Sequence, residues 1–185
     1  MTWVQRLNLA CDPSAPADAL ELLAGDPNHT IREAVARNPA TSAVALERLA
    51  RDTVLVVRQL VANSRSTPTA ALARLAQDRD LGIRRSVARN PMTAPDVLAR
   101  LATDWDVQVR LGAAGHPSLP LLALDDLARD TDRDVASTAV AAKRGRAASP
   151  AIPARPAEPN VDAGNQAADG TIAGGLWEQP PSGPR

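Results

Sequence analysis

The stretches VARNPATSAVALERLARDT (35–53) and VARNPMTAPDVLARLATDWD (87–106) are two copies of one sequence pattern. Both belong to a repeat of 26 residues, in which a β-branched residue followed by arginine returns at Ile31-Arg32, Val57-Arg58 and Ile83-Arg84. The register continues without gaps through five units, 6–31, 32–57, 58–83, 84–109 and 110–135, and a partial sixth follows. A fixed period of about 20–50 residues is typical of solenoid and other repeat architectures.

Each unit predicts two short helices. Leu46, Leu49 and Ala50 have the spacing i, i+3, i+4, and an equivalent set lies in every unit. A second apolar set, such as Ile31 with Val35, follows the spacing i, i+4. Both spacings place apolar side chains on one helical face. Because helices of about ten residues are not stable alone in water, stacking of the units must stabilise them.

Turn residues give the predicted helix boundaries. The first helix of a unit ends before Asn38-Pro39 or Asn90-Pro91, since a residue that precedes proline avoids the α region. A threonine follows where the second helix should begin, and we interpret it as the N-cap of that helix. These threonines are Thr41, Thr67 and Thr93.

A charged pattern links neighbouring units. An aspartate recurs in one column of the repeat, and the arginine of the next unit follows six residues later in all but the last case. An arginine at this spacing can bridge to a neighbouring carboxylate. We interpret the column as an inter-repeat ladder that orients the stack; the alternative is a charged binding surface. The aspartates are Asp26, Asp52, Asp78, Asp104 and Asp130.

The unit as a whole resembles known repeat families. The spacing D-x4-[VI]-R, as in Asp52 to Arg58, resembles the Asp/Val/Arg signature of HEAT repeats. The full 26-residue unit is more similar to the leucine-rich repeat variant family, over about residues 6–142. This resemblance implies an all-α, right-handed solenoid in which an α-helix alternates with a short helix of 3₁₀ type. Two steps depart from the pattern, Asn63-Ser64-Arg65 and Gly115-His116-Pro117.

Composition excludes several functional classes. Among 185 residues, 21 basic and 21 acidic side chains cancel, so no whole-chain field gathers nucleic acid or anionic membrane. Cys11 is the single cysteine, so we expect no disulfide, no zinc site and none of the iron–sulfur segments joined to some members of the resembled family. His29 and His116 lie in different columns, which argues against a repeated metal site. We expect no cofactor.

Location and activity are predicted from what the sequence lacks. No apolar run approaches the roughly 20 residues that cross a bilayer. The start, MTWVQRLNLACDP, has no basic segment followed by a long apolar one, so we expect a cytoplasmic protein. Motifs for nucleophilic, metal-dependent or phosphate-binding catalysis do not occur. We therefore expect a protein that is not an enzyme.

The chain divides into a predicted solenoid, 1–142, and a tail, 143–185. The tail is rich in Pro, Ala and Gly, and a segment with so few large apolar residues is predicted to be disordered. Leu176 and Trp177 form its one apolar cluster and are a candidate docking motif.

The predicted function is a non-catalytic protein–protein interaction scaffold that acts as a monomer. Positions two after the first leucine of the second helix point away from the core, because two steps turn the helix by about 200°. Arg48, Arg74 and Arg100 occupy three of these positions and are candidates to bind an acidic segment of a partner. Trp105 is a candidate aromatic anchor.

Nucleic-acid binding is the alternative function. HEAT-like solenoids include DNA glycosylases, and this chain carries a local basic cluster of four arginines. The neutral net charge and the single lysine argue against this alternative. The clustered residues are Arg79, Arg84, Arg85 and Arg89.

Overall fold

The computed structural model describes residues 1–148, and this part of the chain is all α-helical. Long and short helices alternate along it. The long helices are α1 (Trp3–Cys11), α3 (His29–Arg37), α5 (Leu55–Asn63), α7 (Leu81–Arg89), α9 (Val107–Ala114) and α11 (Arg133–Ala148). The short helices are α2 (Ala17–Leu23), α4 (Ala43–Leu49), α6 (Thr69–Leu75), α8 (Pro95–Leu101) and α10 (Leu121–Leu127).

The helices form two layers, as a solenoid requires. Successive long helices pack side by side, α1 on α3, α3 on α5 and so on to α11, and each short helix packs on its neighbouring long helices. The short helices contact one another less extensively than the long ones do. Grooves therefore open between successive short helices. The predicted all-α repeat solenoid is confirmed.

The core is built from the two predicted apolar sets. Leu72 and Leu98 of the short helices, with Ile83 and Val87 of α7, are fully buried between the layers. Small residues allow adjacent long helices to approach closely: a Cβ atom added at Gly112 would lie 3.0 Å from the Cβ of Ala88. The same columns repeat along the stack, so one continuous core runs through every unit.

The three threonines predicted as N-caps have a different role, and that prediction is wrong. The buried Thr67 hydroxyl donates to the carbonyl oxygen of Val61, 2.6 Å away, in the last turn of the preceding long helix. Thr41 and Thr93 make the same bond to Val35 and Val87. Each of these carbonyl oxygens also accepts from the backbone amide three residues later, at 3.0 to 3.1 Å, and the threonine hydroxyl adds a second, shorter bond. The caps are the residues that follow, Ser42, Pro68 and Ala94.

The short helices are seven-residue α-helices. The 3₁₀ helix that the family resemblance implies for each unit is therefore not found in residues 1–148, and the tighter i to i−3 bonds lie in the turns that end the short helices. In α4, the amides of Arg51 and Asp52 donate to the carbonyls of Arg48 and Leu49, three residues back, at 3.0 Å each. These i to i−3 bonds close each short helix and direct the chain into the next unit.

The last helix continues past Lys143, where the sequence predicted the tail to begin, and ends at Ala148. Arg146 donates to the carbonyl oxygens of Leu119 and His116 at 2.6 and 2.9 Å, so this helix closes the last turn of the stack. Residues 149–185, with the docking candidates Leu176 and Trp177, lie outside the described residues. In residues 1–148 no helix is both long and apolar enough to span a membrane.

A column of asparagines ties adjacent turns together. The Asn90 side-chain amide donates to the carbonyl oxygens of Ala62 and Ser64, both 2.8 Å away, and Asn38 makes the equivalent pair of bonds to Ala10 and Asp12. Ser64 occupies this column in the third unit. Its hydroxyl accepts from the Ser66 amide at 3.2 Å, but within residues 1–148 it donates to no backbone carbonyl of the preceding unit. One link of the column is therefore missing.

Replacing Ser64 with asparagine should raise the free energy of unfolding by about 1 kcal/mol, the usual net value of an internal hydrogen bond. The backbone at Ser64 (φ −73°, ψ 132°) matches that at Asn38 (φ −73°, ψ 126°), so the new side chain can adopt the same orientation. Urea unfolding measures the gain. Asn90→Ser, which removes an existing link, should lower stability instead. A loss of stability in Ser64→Asn would contradict the role of the column.

Candidate protein-interaction surface

Five arginine–aspartate pairs join successive units, and we call this set the Arg–Asp ladder. Each arginine binds the aspartate twenty residues later, in the turn of the next unit. At Arg84, Nε and Nη2 lie 2.7 and 3.1 Å from the two carboxylate oxygens of Asp104, while Nη1 donates to the Asp78 carbonyl oxygen at 2.9 Å. The pairs are Arg6–Asp26, Arg32–Asp52, Arg58–Asp78, Arg84–Asp104 and Arg110–Asp130.

At four of its five steps the ladder holds the carboxylate in the charged form. Burial alone would raise the pKa of Asp78, but the hydrogen bonds from Arg58 and from the Asp80 amide outweigh burial, so the pKa is lowered. The pKa values of Asp52 and Asp104 are lowered by the same balance. Each guanidinium is also occupied by its partners. The interpretation of this column as an inter-repeat ladder, and not as an open binding surface, is confirmed.

The candidate binding residues Arg48, Arg74 and Arg100 lie on the short helices α4, α6 and α8, and all three are exposed. Arg48 covers Gly25, where an added Cβ atom would come within 2.0 Å of its Nη2. Arg100 donates to the carbonyl oxygen of Ala73 at 3.2 Å. The structure thus places the three arginines on one face, and two of them reach back over the preceding unit.

Two grooves open on this face between the short helices. The groove between α2 and α4 has a volume of about 670 Å³ and is lined by Arg48 and Arg51. The groove between α4 and α6 has a volume of about 840 Å³ and is lined by Arg51, Arg74 and Arg79. Sequence reasoning missed Arg51 and Arg79 as members of this surface. The only signal for them was a basic residue in the turn after a short helix.

Trp105 lies in the turn between α8 and α9 and is 75% exposed. The centre of its ring is 5.1 Å from Cζ of Arg84, an arrangement that gives a cation–π interaction. Trp105 therefore covers the buried Arg84–Asp104 pair at this step of the ladder. Most of its surface remains accessible to solvent.

The four arginines behind the nucleic-acid alternative do not form one patch. Arg84 is buried in the ladder. Arg79 lines the groove between α4 and α6, whereas Arg89 lines a separate groove between α7 and α9 with Pro91 and Leu111. A continuous phosphate track along these residues is not present. In residues 1–148 no group of His, Cys, Asp and Glu has the arrangement of a metal site.

His116 replaces asparagine in the column of the last full unit. Its Nε2 lies 3.0 Å from the Asn90 carbonyl oxygen, and its Nδ1 accepts from the Ser118 amide at 3.1 Å. A carbonyl only accepts and an amide only donates, so these partners select the neutral ring with the proton on Nε2. Burial lowers the pKa of His116, and the nearby Arg146 charge lowers it further.

We expect His116 to make stability depend on pH in the mildly acidic range. A lowered folded-state pKa means that the stabilising contribution is complete above about pH 6.5 and is lost as pH falls towards the folded pKa, by at most about 1.4 kcal/mol per pH unit. His116→Asn should remove this slope. Urea unfolding of both proteins between pH 7 and pH 5 tests it; equal slopes would show that His116 does not titrate on unfolding.

The fold and this surface define an all-α repeat solenoid with a structural ladder inside and an arginine-bearing face outside. Among solved structures the chain is similar to a protein described as a leucine-rich repeat variant with a novel repetitive structural motif, at 30% sequence identity and a TM-score of 0.60. The match covers 76% of this chain and 56% of the other protein, so this chain spans just over half of that protein's length. The resemblance to the leucine-rich repeat variant family is thereby confirmed. No family model and no curated protein matches the sequence.

Proposed function

We propose that this chain is a non-catalytic scaffold that binds an acidic segment of a partner protein on its short-helix face. The observation that carries the proposal is that the arginines fall into two sets with different surroundings. The ladder arginines are paired inside the stack, whereas Arg48, Arg74 and Arg100 are exposed in a row on one face. Repeat solenoids present extended surfaces for binding, and the row of exposed arginines supports such a role for the short-helix face.

The dimensions of the face suit an extended peptide. At the usual helix-packing distance of roughly 10 Å, the two steps from Arg48 to Arg100 span about 20 Å. A peptide with acidic side chains at matching intervals could pair with each arginine in turn. Trp105 lies one turn beyond Arg100 along the chain and adds an aromatic contact at that end, as interface anchors commonly do.

The chemistry of the buried charged groups supports a non-catalytic role. Four of the five ladder aspartates accept two bonds from their arginine, and Asp26 accepts one from Arg6, so none is a free base. His116 is oriented by two backbone groups and takes the place of asparagine in the column that ties adjacent turns together. We further propose that the protein acts as a monomer in the cytoplasm, where the exposed thiol of Cys11 would stay reduced.

The triple variant Arg48→Glu, Arg74→Glu, Arg100→Glu should lose partner capture by at least about tenfold, a loss of about 1.4 kcal/mol in binding. Its melting temperature should change little, because exposed substitutions usually alter stability by less than about 0.5 kcal/mol each. Capture of proteins from an extract of the native cell, by the full-length chain and by the variant, measures the effect.

A second triple variant, Arg37→Glu, Arg89→Glu, Arg133→Glu, is the matched control. It makes the same change in net charge at exposed arginines of the long helices. Capture should survive in this control. Undiminished capture by the short-helix variant, or an equal loss in both variants, would exclude the arginine row as the binding surface.

A further inference from the structure

The groove between α4 and α6 collects arginine from three columns of the repeat. Arg51 comes from the turn after α4, Arg74 from α6 and Arg79 from the turn after α6, and all three line the groove. No other pair of adjacent units in residues 1–148 has arginine in all three columns. The equivalent sets are Gly25, Arg48 and Thr53; Gln77, Arg100 and Trp105; and Thr103, Asp126 and Thr131.

These three guanidinium groups are not neutralised by their surroundings. Arg48 and Arg100 each reach back onto an uncharged neighbour in the preceding unit, Gly25 and the Ala73 carbonyl. At the spacing of Arg48 and Gly25, the residue behind Arg74 is Arg51, which carries a like charge. At the spacing of Arg100 and Ala73 it is Glu47, which is exposed on α4 and does not line this groove. Within residues 1–148 the side chains of Arg51, Arg74 and Arg79 are not seen in any hydrogen bond or ion pair.

The two carboxylates that line this groove do not supply the missing negative charge. Asp52 accepts from Nε and Nη2 of Arg32, and Asp78 accepts from the same two atoms of Arg58. Their oxygens also accept from the amides of Val54 and Asp80. Because the ladder already occupies both carboxylates, the groove keeps an excess of positive charge in an open concavity.

We propose that this groove binds a phosphorylated side chain, a phosphomonoester carried by the acidic partner segment. The inference rests on the proposed function and names the chemistry that would give the segment its specificity. A phosphomonoester carries a charge of about −1.5 to −2 at neutral pH and three strong acceptor oxygens, which suits several guanidinium donors. Arginine pairs with phosphate through two parallel bonds, which adds geometric selectivity.

The charge along the face favours one compact dianion over an extended polyanion. Two units further on, the arginine column is occupied by Asp126; Asp125 precedes it on the same helix and is paired with Lys143. A nucleic-acid strand that continued along the face would meet these carboxylates. A phosphorylated side chain needs only the α4–α6 groove, and its flanking acidic residues can reach Arg48 and Arg100.

Binding of three probes to the full-length chain tests the proposal by fluorescence anisotropy. The probes are an acidic peptide with a central serine, the same peptide with phosphoserine, and a single-stranded oligothymidylate. The phosphopeptide should bind at least tenfold more tightly than the serine peptide. In Arg51→Gln, Arg79→Gln this preference should disappear while weak binding of the serine peptide remains. Arg37→Gln, Arg89→Gln is the control and should keep the preference.

Each result decides one question. Equal affinity for the two peptides overturns the phosphate site and leaves the acidic-segment proposal standing. Binding of neither peptide overturns the phosphate site, and the capture experiment with the glutamate triple variants then decides the acidic-segment proposal separately. Oligothymidylate binding as tight as that of the phosphopeptide overturns the inference in favour of nucleic acid. Since Arg51 and Arg79 lie outside the ladder, an unchanged circular dichroism melting curve shows that the variant is folded.

Discussion

Replacing Arg84 with glutamine should lower the free energy of unfolding by about 3 kcal/mol, the lower end of the usual cost of breaking a buried ion pair from one side. Arg84 is the most buried arginine of the ladder, and its loss leaves the Asp104 carboxylate without its main partner. The change also frees the Asp78 carbonyl oxygen and removes the cation under Trp105. Urea unfolding at pH 7 measures the loss.

The pH dependence of the stability loss should distinguish a broken ion pair from a simple loss of packing. The folded-state pKa of Asp104 lies below its ordinary value of 3.8, so the contribution of the pair is complete above about pH 4 and disappears as pH falls through the folded pKa. The difference in stability between wild type and Arg84→Gln should therefore shrink below pH 4. Arg100→Gln, on the exposed face, is the control and should cost less than about 0.5 kcal/mol. A pH-independent difference would assign the loss to packing alone.

Leu72→Ala should cost about 2–5 kcal/mol, because it opens a cavity in a side-chain layer that the units above and below share. Leu72 is fully buried in α6, in the central unit of the stack. The same substitution at Leu22, which is 79% exposed on α2, is the matched control and should change stability by less than about 0.5 kcal/mol. Equal effects at the two sites would contradict a continuous core.

Both predictions depend on the nearest-neighbour construction of the molecule. Each short helix is too short to be stable alone, so its contribution to stability comes from the units on either side. A missing or altered hydrogen bond of the asparagine column therefore marks the interface between two units whose stability it changes. The Ser64 step lacks one hydrogen-bond link, and the His116 step replaces an amide by a ring that can gain a proton.

The sequence alone was enough to predict the repeat length, the helix pairs and the buried columns. These properties are local: a helical period and a fixed repeat determine which side chains face inward, whatever the curvature of the stack. The outward direction of Arg48, Arg74 and Arg100 follows from the same helical geometry and agrees with their exposure. The ladder could be proposed because one aspartate and one arginine keep their spacing through the units.

Only the tertiary structure decided which groups from different units meet. The arginine takes its carboxylate from the aspartate twenty residues later, and the aspartate six residues earlier contributes its backbone carbonyl. The threonine hydroxyls cap a carbonyl of the preceding helix, and Arg51, Arg74 and Arg79 converge on one groove. Sequence periodicity places a residue on a face of its own helix. The distance between two turns depends on how the units stack, because side-chain packing sets the rise and rotation from each unit to the next.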